Sequence, residues 1–257
     1  MQPFTVHPGR RTPLVVLALA LSLLCVQTAS AVDLSRFWPT IGTGATVKEI
    51  RNVGYFQGLK LGTDARVIVR QGKQYSVVVE AEGNVAPLIE TYVEDGTLVV
   101  EDVKHFKSST AEVVITVRRI ANIGTTGPVA VLAEGLTTPA LSLSMGGSSA
   151  LNLKASSVRN LRASLGGSST LKVSGVADDF SAELGGSSAL QAAELMAKSV
   201  SVSGGGSAQA IVWATESLRI SLSGSAGASG FGVENPTLAT SGSATFKHLG
   251  TAPPKQQ

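Results

Sequence analysis

Six Gly-Ser steps are the part of this sequence whose residue types and spacing most resemble a chemical motif. They recur at intervals of 18 to 20 residues, and the first three extend to Gly-Gly-Ser-Ser. Glycine loops that hold phosphate lead into a helix and carry a Gly-Lys-Ser or Gly-Lys-Thr string. Strand-like sequence surrounds each step here, and the lysine is missing. The steps therefore predict structural corners, whose glycines are Gly147, Gly167, Gly186, Gly206, Gly224 and Gly242.

The serines of these steps, such as Ser148, are weak candidates for nucleophiles. A serine nucleophile needs a base within reach, and the only histidines after residue 31 are His105 and His248, each in a polar segment. Two histidines without a cysteine also disfavour a transition-metal site. The sequence therefore predicts no catalytic residue, no metal site and no cofactor.

The densest acidic group in the repeats is Asp178-Asp179 with Glu183. A β-helix enzyme that cleaves polysaccharide needs carboxylates paired at about 5–10 Å across a cleft. Asp178-Asp179 falls at a junction between repeat units, where a solvated turn is the ordinary role. A carbohydrate-active enzyme of the β-helix type is therefore an alternative function, and a non-catalytic protein is favoured.

Trp213 is the best single candidate for a binding residue. Proteins that bind sugars without hydrolysing them use exposed aromatic rings, and this chain has few aromatic residues. Trp213 follows Ile211-Val212, so one of two adjacent side chains in this segment must point outward if the segment is a strand. Trp213 could instead contribute to a cap at the end of the repeats.

A period near 20 residues means that each unit is too small to bury its own core and must stack on its neighbours. Each corner is flanked by alternating apolar residues, as in Leu141-Ser-Leu-Ser-Met145 and Leu161-Arg-Ala-Ser-Leu165. This alternation predicts strands with one face inward. We expect an all-β protein with a parallel β-solenoid or β-helix of 18–20 residues per turn. Six turns, about 4.8 Å apart, would make a rod of about 29 Å.

Strand-like sequence also precedes the repeats and predicts an N-terminal β-hairpin region. Residues 65–70 and 75–80 flank a short Gly-containing turn, and residues 89–93 and 98–100 flank Glu94-Asp95-Gly96. Both arrangements are typical of hairpins. We expect a spacer at 32–47, a single domain at 48–249 with its repeat region at 129–249, and a disordered tail at 250–257.

The N-terminus is typical of a secretory signal peptide. Arg10 and Arg11 precede the apolar stretch 14–26, and Ala29-Ser30-Ala31 fits a cleavage site, so residues 1–31 are predicted to be removed. The remaining chain would carry 19 basic and 18 acidic residues, no cysteine and no transmembrane span. This near-neutral balance and the lack of a basic aromatic stripe exclude a nucleic-acid partner.

The chain resembles the family named "putative auto-transporter adhesin, head GIN domain", a domain of unknown function found in exported bacterial proteins. The resemblance rests on Val53-Gly-Tyr-Phe56, Val67-Ile-Val-Arg-Gln-Gly72 and Asp95-Gly-Thr-Leu98, followed by the Gly-Ser steps. It covers residues 48–249. It implies an all-β solenoid in the bacterial envelope or at the cell surface, without established activity or catalytic residues. No C-terminal barrel pattern follows Gly250.

These observations favour a non-catalytic, exported binding or structural module of the bacterial cell envelope, with an adhesin-like role. Its partner would be an envelope or surface protein or a glycan, and its location the periplasm or the cell surface. A self-assembling envelope subunit, and hence a homo-oligomer, is a further alternative.

Overall fold

Residues 38–254 are described by a computed structural model, and they contain no α-helix. The predicted signal peptide at 1–31 and residues 255–257 lie outside the described residues. Within this described range a single 3-10 turn occurs, at Ala86–Leu88. The strands are β1 (Thr40–Ile41), β2 (Thr46–Arg51), β3 (Gly58–Gly62), β4 (Arg66–Gln71), β5 (Ser76–Glu82), β6 (Ile89–Glu94), β7 (Thr97–Asp102), β8 (Phe106–Lys107), β9 (Glu112–Val117), β10 (Asn122–Thr125), β11 (Ala130–Met145), β12 (Ala150–Leu165), β13 (Thr170–Leu184), β14 (Ala189–Gly204), β15 (Gln209–Leu222), β16 (Gly227–Gly232), β17 (Thr237–Thr240) and β18 (Thr245–His248).

The repeats form the predicted β-solenoid, which has about six turns. Each of the long strands β11 to β15 lies parallel to the next strand along most of its length. The alternating apolar residues point inward and stack in columns. One such column is fully buried and consists of Leu141, Leu161, Phe180, Val200 and Leu218.

The Gly-Ser steps lie at the turns between successive long strands, where backbone hydrogen bonds join each turn to the one before. Ser168 N donates to Gly147 O at 2.8 Å, and Ser187 N donates to Gly167 O at 2.8 Å. The corner glycines all have a positive φ, which is +68° at Gly167. A Cβ at Gly167 would lie 2.5 Å from Gly147 O. Glycine is therefore needed both for the backbone angle and for the close approach of the turns.

The second serine of each Gly-Gly-Ser-Ser string points into the solenoid. Ser149, Ser169 and Ser188 are at most 1% exposed, and Ala208 and Ala226 continue the same column in later turns. The Ser169 hydroxyl donates to Gly166 O at 2.9 Å. The insides of these five corners are therefore lined by small side chains.

The N-terminal strands stack in an order that differs from their order in the chain. On one face β4 lies between β9 and β11, and on the other β3 lies between β7 and β10. Segment β3–β4 is thus inserted between two segments that come later in the sequence. Strands β5 and β6 then run antiparallel to β9 and β7 and, with β2, form the N-terminal end.

One of the two predicted hairpins is therefore wrong. Residues 65–70 and 75–80 became β4 and β5, but β9 lies between these strands and pairs with both. The alternating inward Val and Ile side chains of β9 fill the core between β4 and β5. The pairing of β9 with both strands therefore replaces the direct pairing of β4 with β5 that the short turn predicts. The second predicted hairpin is present as the antiparallel pair β6 and β7.

The segments predicted to flank the domain make specific backbone contacts. Within the predicted spacer, β1 pairs with β8, and Thr43 N donates to Asn84 Oδ1 at 2.9 Å. Two-residue strands are too short to show periodicity in a sequence, which is why β1 was not predicted. At the start of the predicted tail, Gly232 N donates to Gly250 O at 2.9 Å.

Gln71 joins three segments at the point where the chain leaves β4. Its Oε1 accepts from Thr137 N at 2.7 Å, and its Nε2 donates to Thr137 O at 3.2 Å and to Arg118 O at 3.0 Å. The side-chain amide thus makes the pair of bonds that a neighbouring strand residue would make. In the regular turns these bonds are made by the backbone of the adjacent strand, and here the Gln71 side chain makes them instead.

We expect Gly167→Ala to destabilise the protein by about 2–5 kcal/mol. The positive φ contributes about 1–2 kcal/mol, and the overlap with Gly147 O contributes about 1–3 kcal/mol. Urea unfolding followed by circular dichroism measures this change. Gly166→Ala is the matched control because its Cβ would lie 3.8 Å from the nearest atom, Met145 O. Equal midpoints for the two variants would contradict the close-approach argument.

We expect Gln71→Ala to lower the free energy of unfolding by about 1–2 kcal/mol, because three hydrogen bonds at an exposed position are lost. Gln74→Ala, three positions further along the chain, is the control, since Gln74 is exposed and its side chain makes no hydrogen bond within residues 38–254. Thermal unfolding of both variants provides the comparison. A loss of the same size in Gln74→Ala would rule out a specific role for Gln71.

Candidate functional site: the outward faces of the solenoid

The outward side of the second halves of β11 to β15 is rich in serine, and we call it the serine face. It comprises the outward residues of segments 140–145, 160–165, 179–184, 199–204 and 217–222. Because the strands pair in parallel register, these side chains form columns across the strands. One column consists of Ser142, Arg162, Ser181, Ser201 and Arg219, and the next consists of Ser144, Ser164, Glu183, Ser203 and Ser221.

The serine face contains a depression of about 370 Å³ near its centre. Ser181 and Ser201 lie in its middle, and Arg162 and Arg219 flank them in the same column. Neither guanidinium has a hydrogen-bond or ion-pair partner among the described residues. The hydroxyl groups can donate and accept hydrogen bonds, and the arginines can bind oxyanions. This surface is suited to an extended polar ligand.

Trp213 lies on the outward side of the first half of β15, between the buried residues Val212 and Ala214. It is half-buried, and its register neighbours are Met196 on β14 and Phe231 on β16. Met196 remains 40% exposed, and Phe231 is buried. Trp213 therefore forms part of a short apolar ridge on the outside of the solenoid.

The acidic group Asp178, Asp179 and Glu183 does not form a carboxylate pair. Asp179 and Glu183 point outward from one regular strand, and four residues of strand separate their Cα atoms by about 13 Å. This separation exceeds the about 5–10 Å that glycoside hydrolysis requires. Asp178 forms an ion pair with Lys198 at 2.8 Å between Oδ1 and Nζ.

The Lys198 ammonium beside Asp178 lowers the pKa of that carboxyl, with a smaller contribution from Arg159. Asp178 in turn raises the pKa of Lys198, and Glu216 adds to this effect. Charges of alternating sign thus follow one another across four strands. Asp178 stays ionised at neutral pH, as an ion-pair partner does and as a general acid does not.

An acidic cluster that the sequence did not indicate lies at the β3–β4 corner. Asp64 Oδ2 lies 3.0 Å from His105 Nδ1, and Asp102 accepts from Thr63 Oγ1 at 2.5 Å and from Asp64 N at 2.6 Å. Burial raises the pKa of Asp102. These residues are 38 to 41 positions apart in the chain, so no local pattern could reveal the cluster.

The Asp102 carboxylate has a structural role, because it binds a backbone N–H at this corner. It accepts the N–H of Asp64, whereas at the Gly-Ser corners a glycine carbonyl accepts the corresponding N–H of the next turn.

Within residues 38–254, neither histidine forms a hydrogen bond with a serine or threonine hydroxyl. The same residues include no group of three metal-ligating side chains close enough to hold an ion.

The sequence profile of the family described as "Putative auto-transporter adhesin, head GIN domain" matches residues 55–232. This match covers more than half of the chain. The chain belongs to this family. A comparison with curated proteins gives no match. Among residues 38–254, no helix has the length and apolar character needed to cross a membrane.

Several solved structures share the fold of this head GIN domain. A "putative adhesin" from Bacteroides fragilis superimposes with a TM-score of 0.75 at 20% identity, covering 81% of this chain and 99% of that one. A "putative lipid binding protein" from Parabacteroides distasonis gives 0.64 at 18% identity, with coverage of 82% and 100%. A "putative adhesin" from Parabacteroides merdae gives 0.64 at 14% identity, with coverage of 82% and 98%. At these identities the likeness shows the fold alone.

We expect the ion pair of Asp178 and Lys198 to stabilise this head GIN domain only while Asp178 is ionised. Because the folded-state pKa of Asp178 is lowered, the contribution is present above the unfolded pKa, about 3.9, and disappears as pH falls through the lower folded value. Urea midpoints of the native protein and Asp178→Asn should therefore differ at pH 7, and the difference should shrink as the pH falls below about 3.9. Asp179→Asn is the control, because the Asp179 carboxylate has no ion-pair partner among residues 38–254. A difference that persists unchanged at low pH would contradict this assignment.

Proposed function

We propose that the protein is a non-catalytic, adhesin-like binding module of the bacterial cell envelope. The observation that carries this proposal is the serine face, on which repeated side chains lie in register over five long strands. Such a face offers many similar hydrogen-bonding groups on one surface. It therefore suits a ligand that is itself extended, such as a glycan or the surface of an envelope protein.

The arrangement of the charged groups supports binding rather than hydrolysis. Asp178 is engaged with Lys198, and Asp179 lies far from Glu183 along the same strand. Both members of a glycosidase pair would need to approach one bond from opposite sides. The adhesin description of the family supports the same conclusion.

Trp213 is the residue that we assign to the contact surface on the other outward side. Its register neighbours on the two adjacent strands, Met196 and Phe231, are also apolar, and the ring itself is half-buried. An aromatic ring in this setting provides a large apolar contact next to a polar surface. We further infer that export follows from the signal peptide at 1–31, and that the module acts in the periplasm or at the cell surface.

We expect the full chain to co-sediment with bacterial envelope material and to release no reducing ends from it. Trp213→Ser should lower the bound fraction several-fold, because the largest apolar contact of the ridge is lost. Trp38→Ser is the matched control, since Trp38 is 73% exposed and lies before the first strand. The measurements are the bound fraction after centrifugation and a reducing-sugar assay of the supernatant.

Two results would overturn this proposal. Accumulation of reducing ends would show that the protein is an enzyme. A bound fraction no greater than that of an unrelated protein of similar charge would show that it is not an envelope-binding module. Circular dichroism of each variant confirms that the fold is retained.

A further inference from the structure

We propose that a depression at the N-terminal part of the solenoid binds an acidic sugar, of the uronic acid class, within an envelope polysaccharide. Tyr55, Gly72, Tyr75, Arg118 and Arg119 line this depression, which has a volume of about 350 Å³. The inference rests on the proposed binding function and adds to it a second surface and a ligand class. The depression lies among the strands that precede the Gly-Ser repeats.

Two tyrosines form the aromatic part of the site. The Tyr75 ring packs edge-on against Tyr55 with centroids 5.4 Å apart, and against the fully buried Phe56 at 5.1 Å. Phe56 therefore anchors Tyr75, and Tyr75 supports Tyr55. Tyr55 keeps 59% of its surface exposed and its hydroxyl contacts the Gln57 side chain. An aromatic surface held in this way is available to a ligand at small entropic cost.

Two arginines form the cationic part, on a backbone segment that is fixed on both sides. The Arg118 carbonyl accepts from Gln71 Nε2 at 3.0 Å, and Ala121 N donates to Gln57 O at 2.9 Å. Ile120 between them is buried. The side chains of Arg118 and Arg119 are exposed. Their backbone is thus held in place while both guanidinium groups stay accessible to solvent.

The charge of the site is uncompensated within the described part of the chain. Neither Arg118 nor Arg119 forms an ion pair or a side-chain hydrogen bond there, and no carboxylate lines the depression. This contrasts with Lys154, Lys172 and Lys198, which each pair with an acid. Adjacent unpaired arginines attract an anion, and guanidinium groups bind carboxylates through two parallel hydrogen bonds.

The combination of groups selects the ligand class. A bare anion would use the arginines but not the tyrosine rings, and a neutral sugar would use the rings but leave the charge unmatched. A uronic acid residue offers both an apolar ring face and a carboxylate. The volume of the depression falls at the small end of ligand sites, about 300–1,000 Å³, which suits one or two sugar units.

The test measures binding of the full chain to trigalacturonate, to galactotriose and to phosphatidylglycerol vesicles by calorimetry. We expect trigalacturonate to bind at least about tenfold more tightly than galactotriose, because only the acidic sugar satisfies the arginines. Its affinity should fall as salt rises from about 50 to about 500 mM. Equal affinity for the two sugars, no binding to either, or binding to the vesicles alone would overturn the proposal.

The variants locate the site. Arg118→Gln with Arg119→Gln should weaken trigalacturonate binding at least about tenfold, since both charges are lost. Lys60→Gln with Arg66→Gln is the matched control, because these two cations are also exposed and form no ion pair within residues 38–254, but lie outside both the depression and the serine face. Tyr55→Ser should weaken binding and Tyr55→Phe should retain it, since the ring supplies the contact. An equal loss of binding in the Lys60 and Arg66 control, or no loss in the Arg118 and Arg119 double variant, would place the ligand elsewhere.

The co-sedimentation assay separates this inference from the proposed function. If the Arg118→Gln, Arg119→Gln double variant binds envelope material as well as the native protein, the acidic-sugar site is wrong and the binding function stands. If the native protein does not bind envelope material at all, the binding function itself is wrong. Unfolding midpoints of all variants verify that each is folded.

Discussion

The hydrogen bond between stacked Gly-Ser corners is the interaction on which the rest of the structure depends. At each corner a serine N–H meets the glycine carbonyl of the preceding turn, and no Cβ fits between the two backbones. Because the corners stack directly, residues at the same distance from each corner align in columns. The apolar columns fill the core, and the serine columns form the outward face. A local backbone requirement therefore determines a surface pattern over the whole repeat region.

Side chains replace this backbone interaction where the order of the turns is irregular. At the β3–β4 corner, the Asp102 carboxylate accepts the N–H of Asp64. At the end of β4, the Gln71 amide bonds to the backbone of Thr137 and Arg118. In both places the neighbouring segment comes from a distant part of the chain. A side chain bridges the gap because the backbone of the next turn is not there to do so.

The regular and irregular parts of the molecule offer different chemistry to a partner. The regular turns present hydroxyl groups with few charges, and the same groups recur at the surface from one strand to the next. The N-terminal part brings together residues that occur once, among them Tyr55, Tyr75 and the pair Arg118 and Arg119. A binding module with both parts can combine an extended polar contact with recognition of a particular charged group.

The sequence by itself determined the repeat architecture, because the Gly-Ser spacing and the alternation of apolar residues are local signals that recur every turn. It also placed Trp213 on a strand with one of two neighbouring side chains outward. It could not determine that β9 separates β4 from β5, or that Arg118 and Arg119 lie beside Tyr55 and Tyr75. Those contacts join residues 32 to 64 positions apart in a part of the chain without a repeat. Only the tertiary structure decides them, since they depend on which strands stack together rather than on any local pattern.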